Sequence, residues 1–302
     1  MAVPASTSPS SASTLAFLAL LGAGVAVGFS PNLARLSDLA PLASGFYRLA
    51  LAVPAIWLAI ILTGGKLEPV SSMPVKHRWR LFLAGLAFAA DIAFWHLAIA
   101  ETTILEATLL SSTVPIMVSF VSVFVFGERL KPLFAFGLAL ALAGVVVLAL
   151  QKTGAPQTPP NRLMGGIFAL LAASFFALYL LLIATVRQSS STGTVMFYTS
   201  LISALAMLPF AIAMSPTMLS GSMNGWLTLV ALAVISHAGG QGLMTFALAH
   251  LPTSFSSMMG LMQTAVAAVV AWVLFSEPLT LLMLVSGAAI LAGIWICRKA
   301  TA

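Results

Sequence analysis

The chain has 302 residues, of which 61% are hydrophobic and only 7% charged, and its mean hydropathy is +1.09. A soluble domain of that length carries roughly 25% charged residues to keep its surface wet, so the composition excludes a water-exposed globular fold. The formal net charge of +6 does not indicate a nucleic-acid partner, because the 13 Lys and Arg residues sit in short breaks between apolar runs, where they read as a topology signal.

Residues 1–12 contain no Lys or Arg and so lack the basic segment of a secretory signal. They are expected to form a short disordered tail before an uncleaved first helix. Ten apolar runs follow, each near the roughly 20 residues that a bilayer core requires. They span 13–31, 41–63, 80–100, 107–126, 131–150, 163–185, 194–214, 226–249, 254–275 and 280–297. The runs are continuous rather than alternating, which selects helices over the strands of a membrane barrel. In the first run Gly24 and Gly28 allow another helix to approach closely, and Ser30-Pro31-Asn32 reads as its end. The breaks are short, so no extramembrane domain is expected within them. The single Cys297 rules out an intramolecular disulfide and a Cys-based zinc cluster.

With ten spans both termini share one side. That side holds Lys66, Lys76, Arg78, Arg80, Arg129, Lys131, Arg187, Arg298 and Lys299, against Arg35, Arg48, Lys152 and Arg162 on the other. The positive-inside rule then places both termini in the cytoplasm.

A shift of 149 residues lays Phe126-Gly127-Glu128-Arg129-Leu130 on Phe275-Ser276-Glu277-Pro278-Leu279, and Leu142-Ala143-Gly144 on Leu291-Ala292-Gly293. Between 126 and 144, 8 of 19 positions are identical at that offset. Each half, 13–150 and 163–302, holds five spans, an odd number, so the second must enter the membrane upside down. The expected fold class is an all-α membrane protein of ten transmembrane helices, built as two inverted-topology five-helix repeats. In secondary transporters of this kind the substrate site lies at the midplane between the repeats.

The junctions carrying this repeat resemble those of a known family. FGERL with LALAGVVVL, and FSEPLT with GAAILAGIWI, look like the fourth-to-fifth and ninth-to-tenth helix junctions of the drug/metabolite transporter superfamily, EamA type. Phe46-Tyr47-Arg48 resembles the family's Phe-x-Arg, and Pro115 falls where the family has a proline in helix four. Gln263-Thr264-Ala265 stand where a matching proline of helix nine is expected. The resemblance implies a ten-helix exporter of small metabolites, with amino-acid exporters, including those for aromatic amino acids, as the favoured branch.

The polar residues inside the spans are the site candidates. An ionised Asp at mid-span costs about 2.5–3.5 kcal/mol on insertion scales, so Asp91 must face a partner, water or a substrate. It reads either as a substrate or proton contact or as a structural carboxyl bonded to a neighbouring helix. Trp95, four residues on, shares its face, either as an aromatic wall or as packing. His96 points elsewhere and reads as a packed His or a cavity group. In the eighth span His237 and Gln241 share a face beside Gly239, Gly240 and Gly242, and the shift places Asp91 on Gly240. Tyr47, Tyr179, Tyr198, Ser111 and Ser112 are further substrate-binding candidates. Arg48 could form a gate or clamp with Glu101 or Glu106, or could snorkel to the headgroups. Glu128 and Glu277 read as N-terminal caps of the helices that follow them.

No H-E-x-x-H, G-x-S-x-G or GxxxxGK[ST] motif occurs, so neither an intramembrane protease nor an ATP-driven pump is indicated. No catalytic residue, metal or cofactor is expected. The expected partners are a small-molecule substrate and the lipid bilayer. The function expected is export of small metabolites, amino acids first, across a bacterial-type inner membrane by alternating access. Export of drugs or other metabolites, a channel, and a non-transporting assembly or lipid-handling protein are the alternatives.

Overall fold

A computed structural model describes residues 11–102, 107, 110–125, 127–150, 161–275 and 280–301. The expected N-terminal tail, Glu106 and Glu277 therefore lie almost wholly or wholly outside the described residues. Every regular element among the described residues is helical. Among the described residues eight helical stretches are long and apolar enough to cross a bilayer, against ten expected, and the apolar helices at Val114–Phe124 and Pro132–Val147 are shorter.

Prolines explain where the first spans break. Proline lacks an N–H and collides with the carbonyl four residues back, but it is tolerated in the first turn of a helix. The first span is accordingly two helices, α1 (Ser11–Gly28) and α2 (Ser30–Leu36), with Pro31 at the start of α2. It runs five residues past the expected end, because Pro31 restarts the helix instead of stopping it. Asn32 fixes the new turn by donating to the Ala267 carbonyl at 3.0 Å. The second span divides at Leu51 into α3 (Pro41–Ala50) and α4 (Ala52–Leu62), three residues before Pro54. Gly64, at φ +68°, ends α4 with the Gly64 and Gly65 amides returning to Ile61 and Ile60. α5 (Val75–Glu101) is unbroken and begins five residues earlier than expected, so Asp91 lies about one turn beyond its midpoint. In the fourth span Pro115 starts a fresh helix, α6 (Val114–Phe124), which accounts for its shortness.

The remaining helices are α7 (Pro132–Leu150), α8 (Arg162–Val186), α9 (Thr192–Met214) and α10 (Met223–Ala231). A π-helix over Leu232–Gln241 leads into α11 (Gly242–Ala247), then α12 (Thr253–Ser256), α13 (Met259–Phe275) and α14 (Leu281–Thr301). α8, α9 and α10 start on Asn161, Ser191 and Ser222, each of which accepts a first-turn amide.

Packing follows the internal similarity of the sequence. α5 lies along α8, and the 149-residue shift carries that pair onto the π-helix with α11 against α1, which also pack together. α7 lies along α14, and the shift carries α7 onto α14 itself. The backbones meet there at small residues. A Cβ on Gly293 would stand 2.5 Å from the Gly137 carbonyl oxygen, and one on Gly144 would stand 2.8 Å from that of Ser286. The shift turns Gly137 into Ser286 and Gly144 into Gly293, so the two close contacts are images of each other. α1 uses its own small residues against α13, where a Cβ on Gly28 would collide with Val266.

Hydrophobic burial does not separate lipid from protein here, so van der Waals contact at such crossings carries the association of helices. Gly293→Val should therefore lower stability by about 1–3 kcal/mol through overpacking. Gly287→Ala, six residues earlier on the same helix with nothing within 4 Å of its Cβ, should leave the thermal midpoint in detergent unchanged. Equal midpoints for the two variants would mean that the crossing is not close-packed.

Candidate functional site

The interior of the bundle holds two opposite charges that do not touch. Arg48 on α3 is 4% exposed and donates to the Ser30 hydroxyl on α2 at 2.9 Å. Its Nε has no hydrogen-bond partner. Asp91 on α5 is half-buried and supplies the opposing charge felt by Arg48, with no ion pair within 4 Å and no hydrogen bond to a described residue. The guanidinium also acts electrostatically on His96 and His237. Arg48 thus bonds Ser30, and it forms no ion pair with the described Glu101. Glu101 is the last residue of α5, where its carbonyl accepts from the Asn161 amide at 3.2 Å.

Around this pair lies a wall of rings and unsatisfied polar atoms. Phe88, one turn before Asp91, stands with its ring centroid 4.5 Å from that of Tyr179 on α8 and 5.2 Å from that of His237 on the π-helix. The His237 Nε2 pairs with the Ser200 hydroxyl of α9 at 2.8 Å, and its Nδ1 is buried without a partner. His96 Nδ1 donates to the Ile92 carbonyl at 2.8 Å, which leaves Nε2 as the ring's buried acceptor, also without a partner. Ser44 Oγ and Gln241 Oε1 share that condition, whereas the Tyr179 hydroxyl lies against the hydroxyls of Thr199 and Thr245. A buried polar atom left unsatisfied costs about 1–3 kcal/mol. Such atoms occur here on α3, α5 and the π-helix, and others are Ser111, Ser119, Ser122, Ser215 and Ser256 Oγ.

Two glycines admit the close approaches that this wall needs. A Cβ on Gly45 would meet the His96 ring carbon at 3.3 Å, and one on Gly240 would stand 2.5 Å from Val27 on α1. The π-helix adds one residue to each of its turns, and His237 and Gln241 are both buried within it.

The other expected residues are scattered. Trp95 is half-buried, its ring edge-on to that of His96 at 5.1 Å. Tyr47 packs edge-on to Trp226 at 5.1 Å, in a cluster with Leu39, Ala43 and Leu229. Tyr198 donates to the Glu68 carbonyl at 3.1 Å, far along the chain from Asp91 and in a loop contact instead of the wall. Ser111 Oγ is buried without a partner, Ser112 is buried and bonded, and both precede α6. Sequence reasoning missed Phe88 and Ser200. Phe88 was within reach, since positions 88, 91 and 95 fall on one helical stripe, whereas Ser200 carries no such signal.

Carboxylates tie loops together at both ends of the bundle. Asp38, between α2 and α3, accepts from the Ser220 and Ser222 hydroxyls at 2.9 and 3.1 Å. Glu68, between α4 and α5, accepts from the Ser191 amide at 2.9 Å, while its own amide donates to Thr194 Oγ1 at 3.1 Å. Arg187 extends this second knot by donating to the Thr245 and Ser190 carbonyls. The 149-residue shift carries 37–45, which holds Asp38, onto 186–194, which holds Ser191 and Thr194, and carries 63–74 onto 212–223, so the two knots join corresponding segments. At the end of Glu68, Glu128 accepts from Ser254 at 2.7 Å. Glu128, expected to cap α7, instead accepts from Ser254 of α12, next to the turn at Gly127, φ +68°.

The profile of the EamA-like transporter family matches residues 13–150 and again residues 163–298. This chain belongs to the EamA-like transporter family. It is accordingly a membrane transporter with several spans. An uncharacterized transporter of Archaeoglobus fulgidus is 27% identical over 209 residues, 69% of this chain and 72% of its own. The uncharacterized transporter YetK of Bacillus subtilis is 29% identical over 111 residues, 37% of this chain and 34% of its own. A crystal structure of another protein has the same fold, with a TM-score of 0.80 over 97% of this chain and 98% of that one at 19% identity.

The Ser220 hydroxyl foremost, with help from Ser222 and the Asp38 and Gly221 amides, holds the Asp38 carboxyl below its ordinary value of 3.8. A depressed pKa stabilises the folded form above 3.8, and that contribution is lost as pH falls through the lower folded value. The Asp38 knot is therefore fully tied at neutral pH. Asp38→Ala should speed amide hydrogen exchange across 215–222 and leave 187–194 unchanged, and Glu68→Ala should do the reverse. Equal acceleration at both ends in either variant would show that the knots do not act separately.

Proposed function

We propose that this transporter exports small zwitterionic metabolites, amino acids first and those with apolar or aromatic side chains foremost, by alternating access. The observation that carries the reading is the separated Arg48–Asp91 pair with open valences on both members. A zwitterion can accept from the free Arg48 Nε with its carboxylate and donate to Asp91 with its ammonium. Its two charges then replace the direct ion pair that the side chains do not make. The Phe88, Tyr179 and Trp95 rings offer an apolar surface beside those charges, and His237 and Gln241 supply further polar contacts.

The same reading makes residues 13–150 and 163–302 two inverted five-helix repeats and puts both termini in the cytoplasm of a bacterial-type inner membrane. The duplicated profile match, the mirrored glycine contacts and the distribution of Lys and Arg support it. A reporter fused after Ala302 should be active only as a cytoplasmic reporter, and periplasmic activity would reverse the orientation.

Counterflow in proteoliposomes tests the substrate. Wild-type protein should accumulate labelled phenylalanine saturably without ATP and should discriminate against phenylalanine amide, which lacks the carboxylate. Charge-assisted hydrogen bonds contribute about 1.5–3 kcal/mol, so Asp91→Asn should weaken both compounds by roughly 10–100-fold. Arg48→Gln should weaken the acid alone and erase the discrimination. Flux at the level of empty liposomes across an amino-acid panel would overturn the substrate class. Normal discrimination in Arg48→Gln would remove Arg48 from the site.

A further inference from the structure

A polar cleft lies at the end of the bundle where α14 finishes. It has a volume of about 290 Å³ and is lined by Glu128, Arg129, Lys131 and Phe134 from one half and by Ser254 and Thr301 from the other. Arg129 and Lys131 are exposed, and neither forms an ion pair with a described residue. Glu128 is the only acid in the lining, and one of its oxygens already accepts from Ser254. The cleft therefore carries a net positive charge of one unit, with two uncommitted cations at its mouth and Leu130, Phe134 and Pro252 as its apolar lining.

Its depth is marked by neighbours on α14. Arg298 lies over the Phe17 ring at 3.9 Å and Lys299 over the Trp295 ring at 5.7 Å. Trp295 itself is half-exposed, as tryptophans at a membrane–water boundary are. A basic recess between helix ends at that level suits the phosphate of a lipid headgroup.

We propose that this cleft binds the phosphate of an anionic phospholipid, with Arg129 and Lys131 contacting the phosphodiester. The headgroup's hydroxyls face the free oxygen of Glu128, and the acyl chains leave over the apolar lining. The lipid would then bridge the two halves at the one point where Glu128 and Ser254 already join them. The inference stands apart from the substrate reading, because none of its residues belongs to the Arg48–Asp91 site.

Delipidated protein in detergent should bind phosphatidylglycerol, read as retained lipid by native mass spectrometry and as a rise in melting temperature. It should bind phosphatidylcholine at least tenfold more weakly. Each cation near a membrane surface contributes roughly fivefold in affinity, so Arg129→Gln with Lys131→Gln should lose about thirtyfold. Arg129→Lys should retain binding and thereby separate charge loss from misfolding. Lys66→Gln with Lys76→Gln, elsewhere at the same end, should change nothing. Equal binding of the two lipids, or an equal loss in the Lys66/Lys76 variant, would overturn the site. Displacement of phosphatidylglycerol by inorganic phosphate or glycerol phosphate at matching concentration would assign the cleft to a soluble anion and overturn the lipid.

Discussion

An arginine and an aspartate are held inside an apolar bundle at a separation that neither closes. Placing either charge in hydrocarbon alone is costly, and removing one member of such a pair leaves the other uncompensated. The surroundings of Arg48 are arranged to tolerate this. Pro31 breaks the first span so that Ser30 meets the guanidinium, and the division of the second span at Leu51 sets α3 apart from α4. Gly45 lets α3 approach His96 on α5, the helix that carries Asp91. The broken helices and the glycine contacts of the first half can be read as consequences of keeping these charges near each other and away from lipid.

Two kinds of contact then hold the bundle. Along α7 and α14 the backbones touch through Gly137, Gly144, Ser286 and Gly293, a crossing with no room for side-chain movement. At the bundle ends the contacts are hydrogen bonds to single carboxylates, from two serine hydroxyls to Asp38 and from one amide to Glu68. Close packing resists sliding, whereas exposed hydrogen bonds exchange readily with water. The alternating access proposed here would need that division between a stiff seam and weak, separable ties. The mirrored position of the two knots gives each end a tie of the same kind.

The class of the chain was legible from composition, because an apolar surface can only face lipid. The internal repeat was legible because Phe-x-Glu-x-Leu recurs at a constant offset, and it led to the junctions by which the family was recognised. Asp91 stood out since a mid-span carboxylate needs a reason. The count of spans was less legible. Pro115 reads as one residue within an apolar run, yet it starts a new helix and leaves the fourth stretch short. Tyr198 and Glu128 also misled, because a residue's place in a run does not fix the loop it meets.

The sequence by itself determined that the chain is a helical membrane protein of a transporter family, with two similar halves and charges concentrated at one end. Those properties depend on composition and on spacing along the chain, which are local. Only the tertiary structure decided that Arg48 bonds Ser30 and makes no ion pair with Glu101, that Phe88 and Ser200 contact His237, and that Arg129 and Lys131 line a cleft with Ser254. Each of these depends on how separate helices rotate and cross, and those angles are set by glycine contacts and proline breaks acting between segments that are distant in sequence.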